Sequence, residues 1–192
     1  MIAGLALLGT IGNGLAAAYA IWHGPQGLQR IALRTHLMAR LLAEAAPPES
    51  SAYFDTLTFR VEKDAVRRRA RERRINLRYF ESDSIGVTVD ETTTLADVAD
   101  LAWVLTGKVF DTNSMPAAAE AIPLRLRRAG PILTHPVFHQ HHSETAMMRY
   151  LKRLENRDYS LVHGMIPLGS CTMKLIAPAE MAPISWPELA QL

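Results

Sequence analysis

The chain has 192 residues, 48% of them hydrophobic and 21% charged, with a formal net charge of +2 and a single cysteine. These values exclude a disordered polyelectrolyte, a disulfide-stapled secreted scaffold and a protein whose overall field gathers polyanions. They suit one sizeable soluble domain or two small ones in a reducing, cytoplasmic setting.

The opening MIAGLALLGTIGNGLAAAYAIW carries no charged side chain, a run long enough to raise a membrane-span or signal reading. It lacks the basic start of a signal peptide, and Gly4, Gly9, Gly12, Gly14 and Asn13 interrupt it. The expectation is therefore no membrane span but a buried helix, which needs packing on every side. Gly24, Pro25 and Gly27 break that helix and start a second one to about Ala45, with Leu28, Ile31, Met38, Leu41 and Leu42 near one stripe. Pro47 and Pro48 end it.

YFDTLTFRV (53–61) alternates, with Tyr53, Leu57, Phe59 and Val61 on one face and Thr56, Thr58 and Arg60 on the other. That is the pattern of a half-buried strand, spoiled only by Asp55 on the apolar side. A basic segment follows, with Arg67, Arg68, Arg69, Arg71, Arg73 and Arg74 inside eight positions. INLRYF and IGVTV then read as two short strands joined by polar ESDS. DETTT leads into LADVADLAWVL, where Thr94 and Asp97 form the signature of a capping box and Leu95, Val98, Leu101, Ala102 and Leu105 form a buried stripe. The order helix, strand, helix, strand, strand, helix predicts a small α+β layer domain ending near Gly107.

Residues 108–134, with Pro116, Pro123 and Pro131, read as a linker. A second block starts at His135. Ser143 and Glu144 begin a helix running to about Asn156, with Met147, Tyr150, Leu151 and Leu154 inward, and the proline-punctuated tail to Leu192 reads mostly as loop. The expected division is thus 1–107, 108–134 and 135–192.

Three constellations invite chemistry. Closely spaced guanidiniums can grip phosphates, so a nucleic-acid-binding module built on the arginine helix is one reading. Glu62, Asp64 and Glu72 dilute the run, however, and no aromatic interleaves with it before Tyr79; a solvated helix face is the expectation. His135, His139, His141 and His142 lie within eight residues, but their spacing matches no compact zinc pattern and no metal is expected. Finally, MIPLGSCTMKL (165–175) holds Cys171 between Ser170 and Thr172. His163 and Lys174 are near in sequence without fixed geometry, so Cys171 is an inert thiol rather than a nucleophile by default. GSCT also offers two hydroxyls and consecutive backbone N–H groups in a glycine-initiated turn, a nest suited to a carboxylate or phosphate.

Nearly the whole chain resembles one family. HPVFHQHHSETAMMRYLKRLENRDYSLVHGMIPLGSCTMKL followed by AEMAPISWPEL is similar to the start of the carboxy-terminal half of the glycine cleavage system P-protein, a pyridoxal-phosphate-dependent glycine dehydrogenase (decarboxylating). AAAYAIWHGPQGLQRIALRTH, YFDTLTF, INLRYF, IGVTVDETTT and ILTHPVF resemble, in the same order, the end of its amino-terminal half and the junction between halves. Ile176 stands where the family usually reads asparagine after KL. The arginine run and residues 108–128 match poorly, and the stretch with histidine before the cofactor-binding lysine, which the family carries further downstream, is absent. The chain resembles an interior fragment.

The resemblance implies a piece of a fold-type I, aminotransferase-like enzyme. In that family pyridoxal phosphate is the electron sink as glycine loses carbon dioxide, and the aminomethyl group passes to the lipoyl arm of the H-protein. Ser170, Cys171, Thr172 and Lys174 are then pocket-wall residues, with His142 a further pocket histidine, and no catalytic residue is assigned to this stretch. The implied partners are glycine, the lipoyl H-protein and the remainder of the P-protein in a homodimer or heterotetramer, with neither nucleic acid nor membrane. The Schiff-base lysine is at none of Lys63, Lys108, Lys152 and Lys174, so the segment is expected to be inactive by itself.

Overall fold

The computed structural model describes residues 2–112, 122–157 and 182–190. Compactness divides the chain into 1–139 and 140–192. The first unit contains α1 (Ile2–Ala45), β1 (Thr56–Arg60), α2 (Lys63–Glu72), β2 (Arg78–Tyr79), β3 (Ser84–Thr88) and α3 (Leu95–Thr106), followed by single 3-10 turns at Leu124–Leu126 and Pro136–His139. The second contains α4 (Glu144–Glu155), a 3-10 turn at Ala182–Ser185 and α5 (Pro187–Ala190). The mixed helix and small-sheet content is α+β, in the element order the sequence predicts for the first block.

Helix α1 breaks where the sequence breaks it. Gly24 sits at φ 60°, ψ −178°, a region open essentially to glycine alone. Pro25 restarts the helix with its φ already set. Beyond the break the helix runs so close to the preceding turn that a Cβ on Gly27 would lie 2.9 Å from His23 Cβ. Gly24→Ala is expected to lower stability by about 1–3 kcal/mol, read as a shift in the urea midpoint; an unchanged midpoint would contradict the break.

The three strands form one antiparallel sheet in the order β1-β3-β2. Leu57 pairs with Val87 and Phe59 with Ile85, so one face carries Leu57, Phe59, Ile85 and Val87, all buried. This is the alternation read from the sequence. Met38, Leu41 and Leu42 of α1, Val66 and Ala70 of α2, and Val98, Ala102 and Leu105 of α3 complete that core. On the outer face a Cβ at Gly86 would meet the Phe80 ring at 3.2 Å, and the Arg78 guanidinium lies 5.1 Å from the same ring. The Glu49 N–H donates to Thr58 O at 2.8 Å, occupying a carbonyl at the free edge of β1.

Helix α3 is capped as expected: Thr94 Oγ1 accepts from Asp97 N at 3.2 Å, and Asp97 Oδ2 accepts from Thr94 N at 2.8 Å. Gly107 closes it at φ 74°, donating to Trp103 O at 2.7 Å. Thr94→Ala is expected to remove about 1 kcal/mol, measured by thermal melting. In the turn before α3, Asp90 Oδ1 accepts from Thr92 Oγ1 at 2.7 Å and from Thr92 N at 2.9 Å, with Thr93 donating as well. These bonds, led by the Thr92 hydroxyl, hold the Asp90 carboxyl below its ordinary value of 3.8. Its stabilisation is therefore present above the ordinary aspartate range and lost as pH falls through the lower folded value. Asp90→Asn should flatten the acid limb of the melting curve; an unaltered limb would contradict this account.

Three expectations fail locally. Leu95 is 43% exposed, because the buried stripe of α3, which packs against α1 and α2, begins at Val98 and takes in Val104. Leu151 and Leu154 of α4 are exposed although they share a face with Met147; the described part of the second unit supplies too little apolar surface to cover both. Most side chains from Asn13 to Ala20 are likewise exposed, so the described residues do not surround the first part of α1 as a buried helix requires. Among the described residues, no helix is long and apolar enough to cross a membrane.

Candidate functional site

Half of the arginine run is engaged inside the first unit. Val66 and Ala70 bury one face of α2, which turns the neighbouring guanidiniums along the domain surface. Arg69 donates to Val104 O at 2.7 Å and to Leu105 O at 3.1 Å, placing a cation on the carbonyls that end α3. Arg73 lies 4.8 Å from the Trp103 ring centre and 3.2 Å from Asp100. Arg67 lies 4.8 Å from the Tyr79 ring and 3.5 Å from Asp64. These contacts explain Arg67, Arg69 and Arg73 as fasteners between α2, α3 and β2 without a polyanion. Arg69→Met, which keeps the stem and removes the donors, is expected to lower stability by about 1–2 kcal/mol in urea.

The histidines of the segment fall in both units, and each has its own local surroundings. His135 Nδ1 accepts from Val137 N at 3.2 Å, and His139 Nε2 is 3.0 Å from Leu133 O. The turn Pro136–His139, which follows His135, packs against α1. In the second unit, His141 is buried and stacks on Tyr150, with ring centres 4.3 Å apart at 17°. His142 is exposed next to Ser143, which caps α4 by accepting from Ala146 N at 3.3 Å. No group of three metal-ligating side chains occurs among the described residues.

Helix α4 presents a cavity of about 520 Å³ lined by His141, Ala146, Arg149, Lys152, Arg153 and Asn156. Ala146, Arg149, Arg153 and Asn156 follow helical spacing, so one face of α4 is cationic while Met147, Leu151 and Leu154 occupy the other. In the sequence the sign of this face is the pair Arg149 and Arg153, four residues apart.

Ser170, Cys171, Thr172 and Lys174, together with His163, lie outside the described residues. The three lysines among the described residues are engaged locally or exposed. Lys63 Nζ donates to Phe80 O at 2.7 Å and Glu81 O at 3.1 Å, and Lys152 Nζ lies 2.9 Å from Glu155 Oε2. Lys108 is exposed just past the end of α3.

An α+β domain closed by arginine fasteners, followed by a separate cation-faced helix, is the class of structure these elements define. Residues 9–105 match the model of the glycine cleavage system P-protein, and the chain belongs to that family. It is 50% identical over 183 residues to the glycine dehydrogenase (decarboxylating) of Deinococcus radiodurans, covering 93% of this chain and 19% of that relative. With the enzyme of the same name from Shewanella amazonensis it shares 47% identity over 190 residues, covering 93% and 20%. The Photobacterium profundum relative is 48% identical over 190 residues, with the same coverage. The chain thus spans about a fifth of the length of the curated relatives it matches.

Proposed function

We propose that this chain is a structural and pocket-lining segment of a pyridoxal-phosphate-dependent glycine decarboxylase of fold type I. The reaction it serves removes carbon dioxide from glycine and passes the aminomethyl group to the lipoyl arm of the H-protein. The observation that carries this reading is the 50% identity to a glycine dehydrogenase (decarboxylating) across 93% of the chain. In this reading 1–107 closes the amino-terminal half, 108–134 links, and 135–192 opens the carboxy-terminal half. Ser170, Cys171, Thr172 and Lys174 wall the pocket with hydroxyls, a thiol and backbone donors, and His142 adds an imidazole near it. Their work is to orient the glycine carboxylate and exclude water; the anchoring lysine comes from elsewhere in a complete cytoplasmic enzyme, a homodimer or heterotetramer.

A chimera tests the proposal. The aligned fifth of the Deinococcus radiodurans enzyme is replaced by these residues, and carbon dioxide release from glycine is measured with lipoylated H-protein. Activity within about tenfold of the parent is expected. A correctly folded chimera with no activity would defeat the reading.

A further inference from the structure

We draw no further inference here: the strongest candidate, the exposed apolar stripe of Leu15, Tyr19 and Trp22 on the first part of α1, carries nothing because nothing in the structure shows what covers it.

Discussion

Mixed with labelled glycine, pyridoxal phosphate and lipoylated H-protein, the 192-residue chain is expected to release no carbon dioxide above the protein-free rate. Enzymes of ordinary efficiency exceed that rate by about a millionfold or more, so the two outcomes are far apart. The physical reason is the state of the amines. A covalent anchor needs an uncommitted amine inside a pocket, whereas Lys63 is tied to two carbonyl oxygens, Lys152 is paired with Glu155, and Lys108 stands in solvent. Borohydride treatment in the presence of pyridoxal phosphate should accordingly leave no lysine specifically labelled. Stoichiometric labelling of Lys174 would place the anchor in this segment and defeat the assignment of that residue to the pocket wall.

Phe59→Ala is expected to cause the largest loss of stability of any single substitution considered. Phe59 is 1% exposed, sits in β1 opposite Ile85, and belongs to the cluster formed by α1, α2, α3 and the sheet. Removing a buried aromatic side chain destabilises by about 3–5 kcal/mol through lost transfer energy and the cavity left behind. Total stabilities of single domains lie at about 5–15 kcal/mol, so the variant should stand near its unfolding threshold. Denaturant titration of the first unit's tryptophan fluorescence measures it. A loss below about 1 kcal/mol would show that the sheet face is not the centre of the core.

The arginine run shows where legibility in the sequence stops. Its helical character and its likeness to a solvated face were readable, since Val66 and Ala70 fall on one side of a polar segment. Its engagement with α3 was not, because Arg69 meets carbonyls 35 and 36 residues away, and sequence spacing carries no signal for contacts of that range. The histidines illustrate the same limit. Four imidazoles in one short stretch look alike as letters, yet His139 turns to Leu133 O while His141 stacks on Tyr150. Of the candidate pocket wall, only His142 falls among the described residues, so Ser170, Cys171, Thr172 and Lys174 rest on family resemblance.

By itself the sequence determined the order of elements in the first unit, the break at Gly24, the inward face of β1, the capping box of α3 and the family. Each depends on local backbone preference, on a repeat of 2 or 3.6 residues, or on similarity along the chain, all of which can be read in one dimension. Only the tertiary structure decided which guanidiniums fasten helices and which face solvent, that Leu95, Leu151 and Leu154 stay exposed, and that His141 joins Arg149 and Arg153 around one cavity. Those outcomes follow from which surfaces meet after folding, where burial and charge pairing are settled by neighbours in space and not by neighbours in sequence.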